Sequence, residues 1–312
     1  MMVNFPAPGF TGSPLARLDA ERENYAYFDQ QSASPSARLL RLDGLTPHVD
    51  EDGRLSWGSL AEADTDADLA LLGLIDGKPR FVSLARIDED PAQRNAAMNA
   101  ALTMLEPEEA ATYAAARCLV DWHSRHGFCA RCGHASRIFR SGWARLCDRA
   151  AGGCGAEHFP RTDPVVIMLA EYGDRVLVGR QHRWPKGRYS ALAGFVEVGE
   201  SIEEAVAREL HEEAGVVVSA VHYVASQPWP FPSQLMIACI AQAESDAINL
   251  DANELEHAFW ANRDDIRAAL AGSPAAPFLA PPPYAIANTL LTTWLGEATG
   301  ESQPTMRSRP WG

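Results

Sequence analysis

Residues 194–216 read GFVEVGESIEEAVARELHEEAGV, and this stretch decides the fold. Ser201 and Glu204 stand as a capping box, so a helix is expected to start there. Gly215 stands where a helix C-cap needs a residue tolerant of the left-handed conformation. Between them Ala205, Val206 and Leu210 supply apolar surface for a core. Glu209, Glu212 and Glu213 fall at i, i+3 and i+4 and project from one face. Carboxylates that close repel one another and destabilise an isolated helix. A hard divalent cation, Mg2+ or Mn2+, resolves the conflict because it takes oxygen ligands. The usual meaning of a Glu-rich run is a solvated helix face. That reading accounts for the glutamates but not for Gly194, Glu200, Arg208 and Gly215 at their spacings.

The 312 residues leave room for two domains with a small module between them, and 46% hydrophobic with 22% charged residues suits sizeable cores. No apolar run approaches membrane-spanning length; Val165–Ala170 is short and suits a buried strand. The N-terminus MMVNFPAPGF lacks the basic start and long apolar stretch of a signal peptide, so the expected location is the cytoplasm, with no membrane partner. A net charge of −14 argues against a broad surface for non-specific nucleic-acid binding.

Four of the six cysteines lie close together: Cys129 and Cys132 in CARCG, then Cys147 and Cys154. In a cytoplasmic chain this grouping reads as a zinc site rather than a disulfide pair. Four thiolates close a tetrahedral Zn2+ shell, so one zinc per chain would be structural. The first pair is a strong knuckle signal. The second is weaker, because DRAAGG separates its members where two residues are usual. Cys118 and Cys239 have apolar neighbours and read as buried thiols.

An N-terminal mixed α/β domain is expected over 1–125, a zinc ribbon over 126–160, a catalytic domain over 161–300 and a polar tail over 301–312. Strands are expected at 40–43 and 71–74, with Asp76-Gly77 as a hairpin turn into 79–82, and a helix over 106–125. His123 reads as structural. The catalytic domain should hold strands at 165–169, 175–180, 217–226, 235–241 and 258–260, and helices at 263–271 and 284–295. Residues 226–234, SQPWPFPSQ, follow one of those strands. Prolines alternating with Gln227, Trp229 and Phe231 fix the backbone and present flat faces suited to a base. The competing reading is a rigid loop or a buried Pro-aromatic plug.

From Gly194 to Val216 the chain fits G-x5-E-x7-R-E-U-x-E-E-x-G-U, where U is bulky and apolar, and so resembles the Nudix hydrolases, which split a diphosphate linked to another group. The CxxCG knuckle, HFPRTDPVVI at 158–167, the 226–234 array, and LDGL and LGLIDGKPRF near the N-terminus resemble the NADH pyrophosphatase branch. Two departures stand out: Ser233-Gln234 reverses the order that ends the branch's array, and Phe159 stands where many relatives carry Tyr.

The resemblance implies an α/β/α-sandwich catalytic domain after a zinc ribbon. It implies metal-dependent hydrolysis of NADH or NAD+ to AMP and nicotinamide mononucleotide, extending to NAD caps on RNA 5′ ends. Glu209 and Glu213 would be metal ligands, with Glu212 a third ligand or the group that orients water. The Ala193 carbonyl and Glu254 would add oxygens, Glu256 being the rival for Glu254. Glu200 would pair with Arg208 as a brace. Gln227, Pro228, Trp229, Pro230, Phe231, Pro232, Ser233 and Gln234 would contact substrate. Phe159 and Phe195 would stack on the bases from different subunits of a homodimer, and Ala287 would line the nucleotide site. Another dinucleotide (ADP-ribose, FAD or a dinucleoside polyphosphate) is the alternative substrate. A zinc-ribbon protein that binds RNA or a partner is the alternative class.

Overall fold

The structure is a computed structural model that describes residues 8–297; the tail expected at 301–312 lies outside the described residues. The chain forms two compact units. One takes Phe10–Asp163 and Pro228–Gln234. The other takes, of the described residues, 8–9, Pro164–Gln227 and 235–297. Residues 228–234, expected in the catalytic domain, therefore pack with the N-terminal unit.

In the N-terminal unit, helix α1 (Tyr25–Ser32) precedes strands β1 (Arg38–Leu40), β2 (Leu42–Asp43), β3 (Thr46–Pro47), β4 (Trp57–Gly58), β5 (Leu69–Ile75) and β6 (Lys78–Ser83). A four-stranded sheet has the order β4-β1-β6-β5; β1 and β6 run parallel and the other pairs antiparallel. The β5–β6 turn holds Asp76 at φ 50° and Gly77 at φ 72°, the backbone that a two-residue turn needs to match strand twist. Leu39, Leu71 and Phe81 form the sheet's apolar cluster, with Tyr27 and Phe28 of α1 packed against it. Helices α2 (Ala96–Met104) and α3 (Pro107–Arg125) follow. Proline at the start of α3 costs nothing there, since its missing N–H would have no helical partner. Glu108 and Glu109 in the first turn and Arg125 in the last complement the helix dipole. The ribbon is a small sheet in the order β7 (Arg137–Phe139), β8 (Ala144–Leu146), β9 (Glu157–His158).

His123 is buried at the end of α3. Arg145 Nη1 lies 3.1 Å from its Nδ1, so its Nε2–H donates to the Gly142 carbonyl at 2.7 Å. Burial pushes its pKa down to about 4, so it is a neutral structural group.

The second unit is built on a six-stranded sheet of β10 (Asp163–Tyr172), β11 (Arg175–Arg180), β12 (Leu192–Phe195), β13 (Val218–Trp229), β14 (Gln234–Ala243) and β15 (His257–Asn262). Its order is β13-β14-β10-β11-β15, with β12 on β10. The long β10 serves both β11 and β12: Glu171 and Tyr172 pair with β11, and Val165–Met168 with β12. Helix α4 (Ile202–Ala214) follows β12 and lays Ala205, Val206, Leu210 and Ala214 against Val166, Met168, Leu177 and Leu192. Burying a side chain such as Val206 or Leu210 contributes about 1.5–3 kcal/mol. Helices α5 (Arg263–Leu270) and α6 (Ile286–Glu297) pack on each other, and α5 packs on β15. Among the described residues no helix is long and apolar enough to cross a membrane.

Candidate active site

Helix α4 starts with a capping box in which Ser201 Oγ accepts from Glu204 N and Glu204 returns a bond to Ser201 N. It ends at Gly215 with φ 68°. The buried positions of α4 are 205, 206, 209, 210, 213 and 214. Glu209 and Glu213 therefore share the core-facing side with the apolar residues, while Glu212 is exposed at the flank. Their carboxylates lie at the edge of a dry face. A Cβ at Gly194 would fall on the Glu209 carboxylate, so only glycine on β12 leaves that group its place.

Arg208 is the hub of this side of the helix. Its Nε and Nη2 grip the two Glu200 oxygens at 2.6 and 2.9 Å. Nη1 reaches Glu209 at 2.8 Å and Glu212 at 2.9 Å, and Nη2 also donates to the Phe195 carbonyl. Glu200 additionally accepts from Glu197 N, and the two interactions hold its carboxyl down to about 2. One guanidinium thus ties the loop before α4 to the helix.

Glu213 has no such cation. Burial first, then the charges of Glu209, Glu254 and Glu212, push it up to about 8. Burial also raises Glu209, against the pull of Arg208. Glu254 is near enough for its charge to raise Glu213 and so joins the cluster, although it lies forty-one residues on in the chain. The rival Glu256 is engaged elsewhere, 2.6 Å from the buried Arg180. At an effective dielectric of 20, two like charges 4 Å apart cost about 4 kcal/mol. The cluster is therefore stable only protonated or with a cation, and an oxygen-only donor set suits a hard divalent ion.

Phe195 is exposed on β12 and Ala287 is buried in α6. Gln227 is fully buried. Its Nε2 donates to the Gly9 and Tyr284 carbonyls, and its Oε1 accepts from Ile286 N at 2.9 Å. Its amide is spent on fastening the chain before α6.

In the N-terminal unit the four ribbon sulfurs lie within 4.8 Å of one another, with Cys129–Cys154 at 3.7 Å and Cys132–Cys147 at 3.5 Å. A disulfide needs about 2.05 Å. A tetrahedron with Zn–S bonds of about 2.3 Å has edges of about 3.8 Å, so the donor set fits zinc. The long spacing from Cys147 to Cys154 is absorbed by a 3-10 turn at Arg149–Ala151, capped by Asp148. Cys154 N and Arg131 N point at the sulfurs of Cys147 and Cys129, as thiolate ligands require. Cys118 is partly buried and Cys239 fully, and burial raises both thiols.

The array at 228–234 forms the turn between β13 and β14. Its rings are largely occupied by other parts of the same unit. Trp229 meets Phe231 and Phe10 edge-on, at 5.2 and 5.8 Å. Arg94 lies 5.2 Å from both array rings. Phe231 is 6% exposed, with the Arg117 guanidinium 4.6 Å from its centre. Pro228 is exposed, and Trp229, Pro232, Ser233 and Gln234 are half-buried. The Ser233 hydroxyl is buried, with the Cys118 thiol as its neighbour. Phe159, 55% exposed, also belongs to this unit.

Sequence reasoning missed Arg117. It is fully buried on α3, donates to the carbonyls of Pro230 and Pro91 at 2.7 and 3.0 Å, and makes no ion pair among the described residues. The available signal was a charged residue on a helix face otherwise made of Ala, Tyr, Leu and Val.

The NUDIX domain family model matches residues 160–280, and that of the NADH pyrophosphatase zinc ribbon domain matches residues 124–159. The chain belongs to the Nudix hydrolases that carry this zinc ribbon, and the four-cysteine cluster is its structural zinc site. Over 298 residues it is 34% identical to the NAD-capped RNA hydrolase NudC of Mycobacterium bovis (strain BCG / Pasteur 1173P2), covering 90% of this chain and 94% of the relative. Over 264 residues it is 39% identical to the human NAD-capped RNA hydrolase NUDT12, covering 83% of this chain. The chain spans about half the length of that relative, 54%. A solved NUDIX hydrolase from Nitrosomonas europaea aligns with 58% of this chain and 96% of its own, at 20% identity and a TM-score of 0.44.

Proposed function

We propose that the chain hydrolyses the diphosphate of NADH and NAD+, releasing AMP and nicotinamide mononucleotide, and splits the same bond in NAD-capped RNA, releasing nicotinamide mononucleotide and leaving a 5′-monophosphate end. The observation that carries the reaction class is the cluster of buried Glu209 and Glu213 with exposed Glu254, whose charges exceed what Arg208 can balance. The choice of NAD rests on relatives named as NAD-capped RNA hydrolases, one of them aligned over nearly its whole length.

In this reading Glu209, Glu213, Glu254 and the Ala193 carbonyl hold Mg2+ or Mn2+. When bound, that cation offsets charge on the phosphate oxygens during displacement. Glu212, exposed and held by Arg208, orients the attacking water in this reading. Glu200 and Arg208 keep the loop and helix in register, so the carboxylates do not drift. Phe195 and Phe159 offer exposed rings for stacking on the bases. We assign them to different subunits of a homodimer, with Ala287 lining the nucleotide site through its backbone. Trp229 and the half-buried end of the array contact substrate, whereas Gln227 and Phe231 position the chain. The cytoplasm, where thiols stay reduced for zinc, is the assigned compartment.

Mass analysis of products from NADH, NAD+ and NAD-capped RNA, with and without Mg2+ or Mn2+, tests the proposal. AMP and the mononucleotide are expected from the free dinucleotides, in a cation-dependent reaction. Nicotinamide plus ADP-ribose would mean glycosidic cleavage and would overturn it.

A further inference from the structure

The N-terminal sheet carries a group of cations that the proposed reaction does not use. Arg38 on β1 is the register partner of Arg80 on the parallel strand β6. Backbones of neighbouring strands are about 4.8 Å apart, so two positive side chains start side by side. Lys78 lies two residues before Arg80 and so projects from the same face of β6. With Pro35 and Ser36 these three residues line an open recess of about 420 Å³.

The cations are underused by the protein. None of the three makes an ion pair among the described residues. Arg38 spends Nη1 on the carbonyls of Pro35 and Ala37, and Arg80 spends Nη1 on that of Pro79. Arg80 Nε is buried with no partner among the described residues, an arrangement that ordinarily destabilises a fold. Its guanidinium lies 5.2 Å from the centre of the Trp57 ring, a cation–π contact. Burial first, and then the charge of Arg38, lower the Arg80 pKa; Asp76 and Glu109 offset part of this without pairing. In a chain of net charge −14, like charges left together are a conflict that an anion would resolve.

We propose that the recess formed by Arg38, Lys78 and Arg80 is a binding site for a phosphate group. Its open mouth admits a tetrahedral oxyanion, with guanidinium donors on adjacent strands and an ammonium beside them. The group can come from free phosphate or from the phosphodiester chain of a single-stranded RNA. The site is independent of the diphosphate chemistry, so its test reads binding rather than turnover.

The test compares the full chain with an Arg38→Gln/Lys78→Gln variant, which leaves the half-buried Arg80 and its Trp57 contact in place. Melting is followed with and without inorganic phosphate. Affinity for a labelled 5′-hydroxyl oligoribonucleotide, which carries no diphosphate, is followed against salt. Phosphate should raise the melting temperature of the unaltered chain and not that of the variant. Without phosphate, the variant should melt at the same temperature or higher, because a repulsion has been removed; a merely structural role would lower it. If RNA is the source, its affinity should fall at least about tenfold and the log–log salt slope by about 1.4, two contacts at about 0.7 each on a single strand. Phosphate protection without RNA binding identifies free phosphate as the source. If the variant responds to phosphate and RNA as the unaltered chain does, or if neither probe binds the unaltered chain, the site does not exist. Replacing Lys78 by Arg alone should keep the response, since the charge is retained.

Discussion

The chain holds two clusters of ionisable side chains, four thiols and a group of carboxylates, and they manage charge in opposite ways. The four ribbon thiols come from knuckles of short, irregular chain. Being neutral until they lose protons, they can sit within 4.8 Å of one another without strong repulsion. Together they complete a shell and leave no position for a substrate. The α4 carboxylates instead stand on a rigid helix whose buried face they share with Ala205, Val206, Leu210 and Ala214. Packing of those neighbours holds Glu209 and Glu213 in a place their charges disfavour, and Arg208 offsets Glu209 but not Glu213. The first arrangement uses metal to keep a small fold closed. The second stores a charge conflict that a divalent cation can resolve.

Removing zinc should have the largest effect, because structural zinc in small modules contributes on the order of 10–16 kcal/mol of coupled folding and binding. Protein purified without added zinc should contain about one equivalent, as one closed four-thiolate shell requires. Cys147→Ser should lower the melting temperature and metal content together. Full zinc content with unchanged melting would show that the thiols and carboxylates do not differ in this way.

Glu213→Gln should act on the other side of the comparison. It keeps size and hydrogen-bonding capacity but removes charge, so folding should persist while turnover falls at least about a hundredfold. Near-normal turnover at saturating Mg2+ would remove Glu213 from the reaction. Glu200→Gln should be milder and of a different kind. It weakens the two-pronged grip of Arg208, so rate should fall by about tenfold and melting temperature should fall with it. A rate loss with unchanged melting would make Glu200 a ligand rather than a brace.

The smallest effect is on pH dependence without divalent cation. Glu213 titrates near 8 in the folded chain, against an ordinary value of 4.5. The folded state therefore keeps a proton that the unfolded state has released. That contribution to stability is fully present below about 4.5 and is lost as pH rises through about 8. Melting temperature should decline over this window. The decline should flatten in Glu213→Gln and on adding Mg2+. An unchanged slope in the variant would mean that another group titrates there.

Local chemistry was legible in the sequence wherever the interacting residues are close along the chain. The Ser201–Glu204 box, the Gly215 cap, the Asp76-Gly77 turn and the Glu200–Arg208 pair all depend on separations of one helical turn or one short loop. The cysteine knuckles were legible for the same reason, since zinc imposes its own spacing. The four-residue geometry of α4 also placed its carboxylates on one side before any fold was known.

Tertiary structure decided what lies opposite those residues. That Glu254 and not Glu256 joins Glu213 depends on how the loop before β15 returns and on Arg180 taking the other carboxylate. The rings at 229 and 231 looked like free faces, but Phe10, Arg94 and Arg117 occupy much of them, from segments more than a hundred residues away. Gln227 looked like a ligand group and is instead a buried fastener before α6. Helical and turn periodicity is a property of neighbouring residues, so the sequence carries it directly. Which buried partner satisfies a charge, a ring or an amide is set by long-range packing, and no local spacing encodes that.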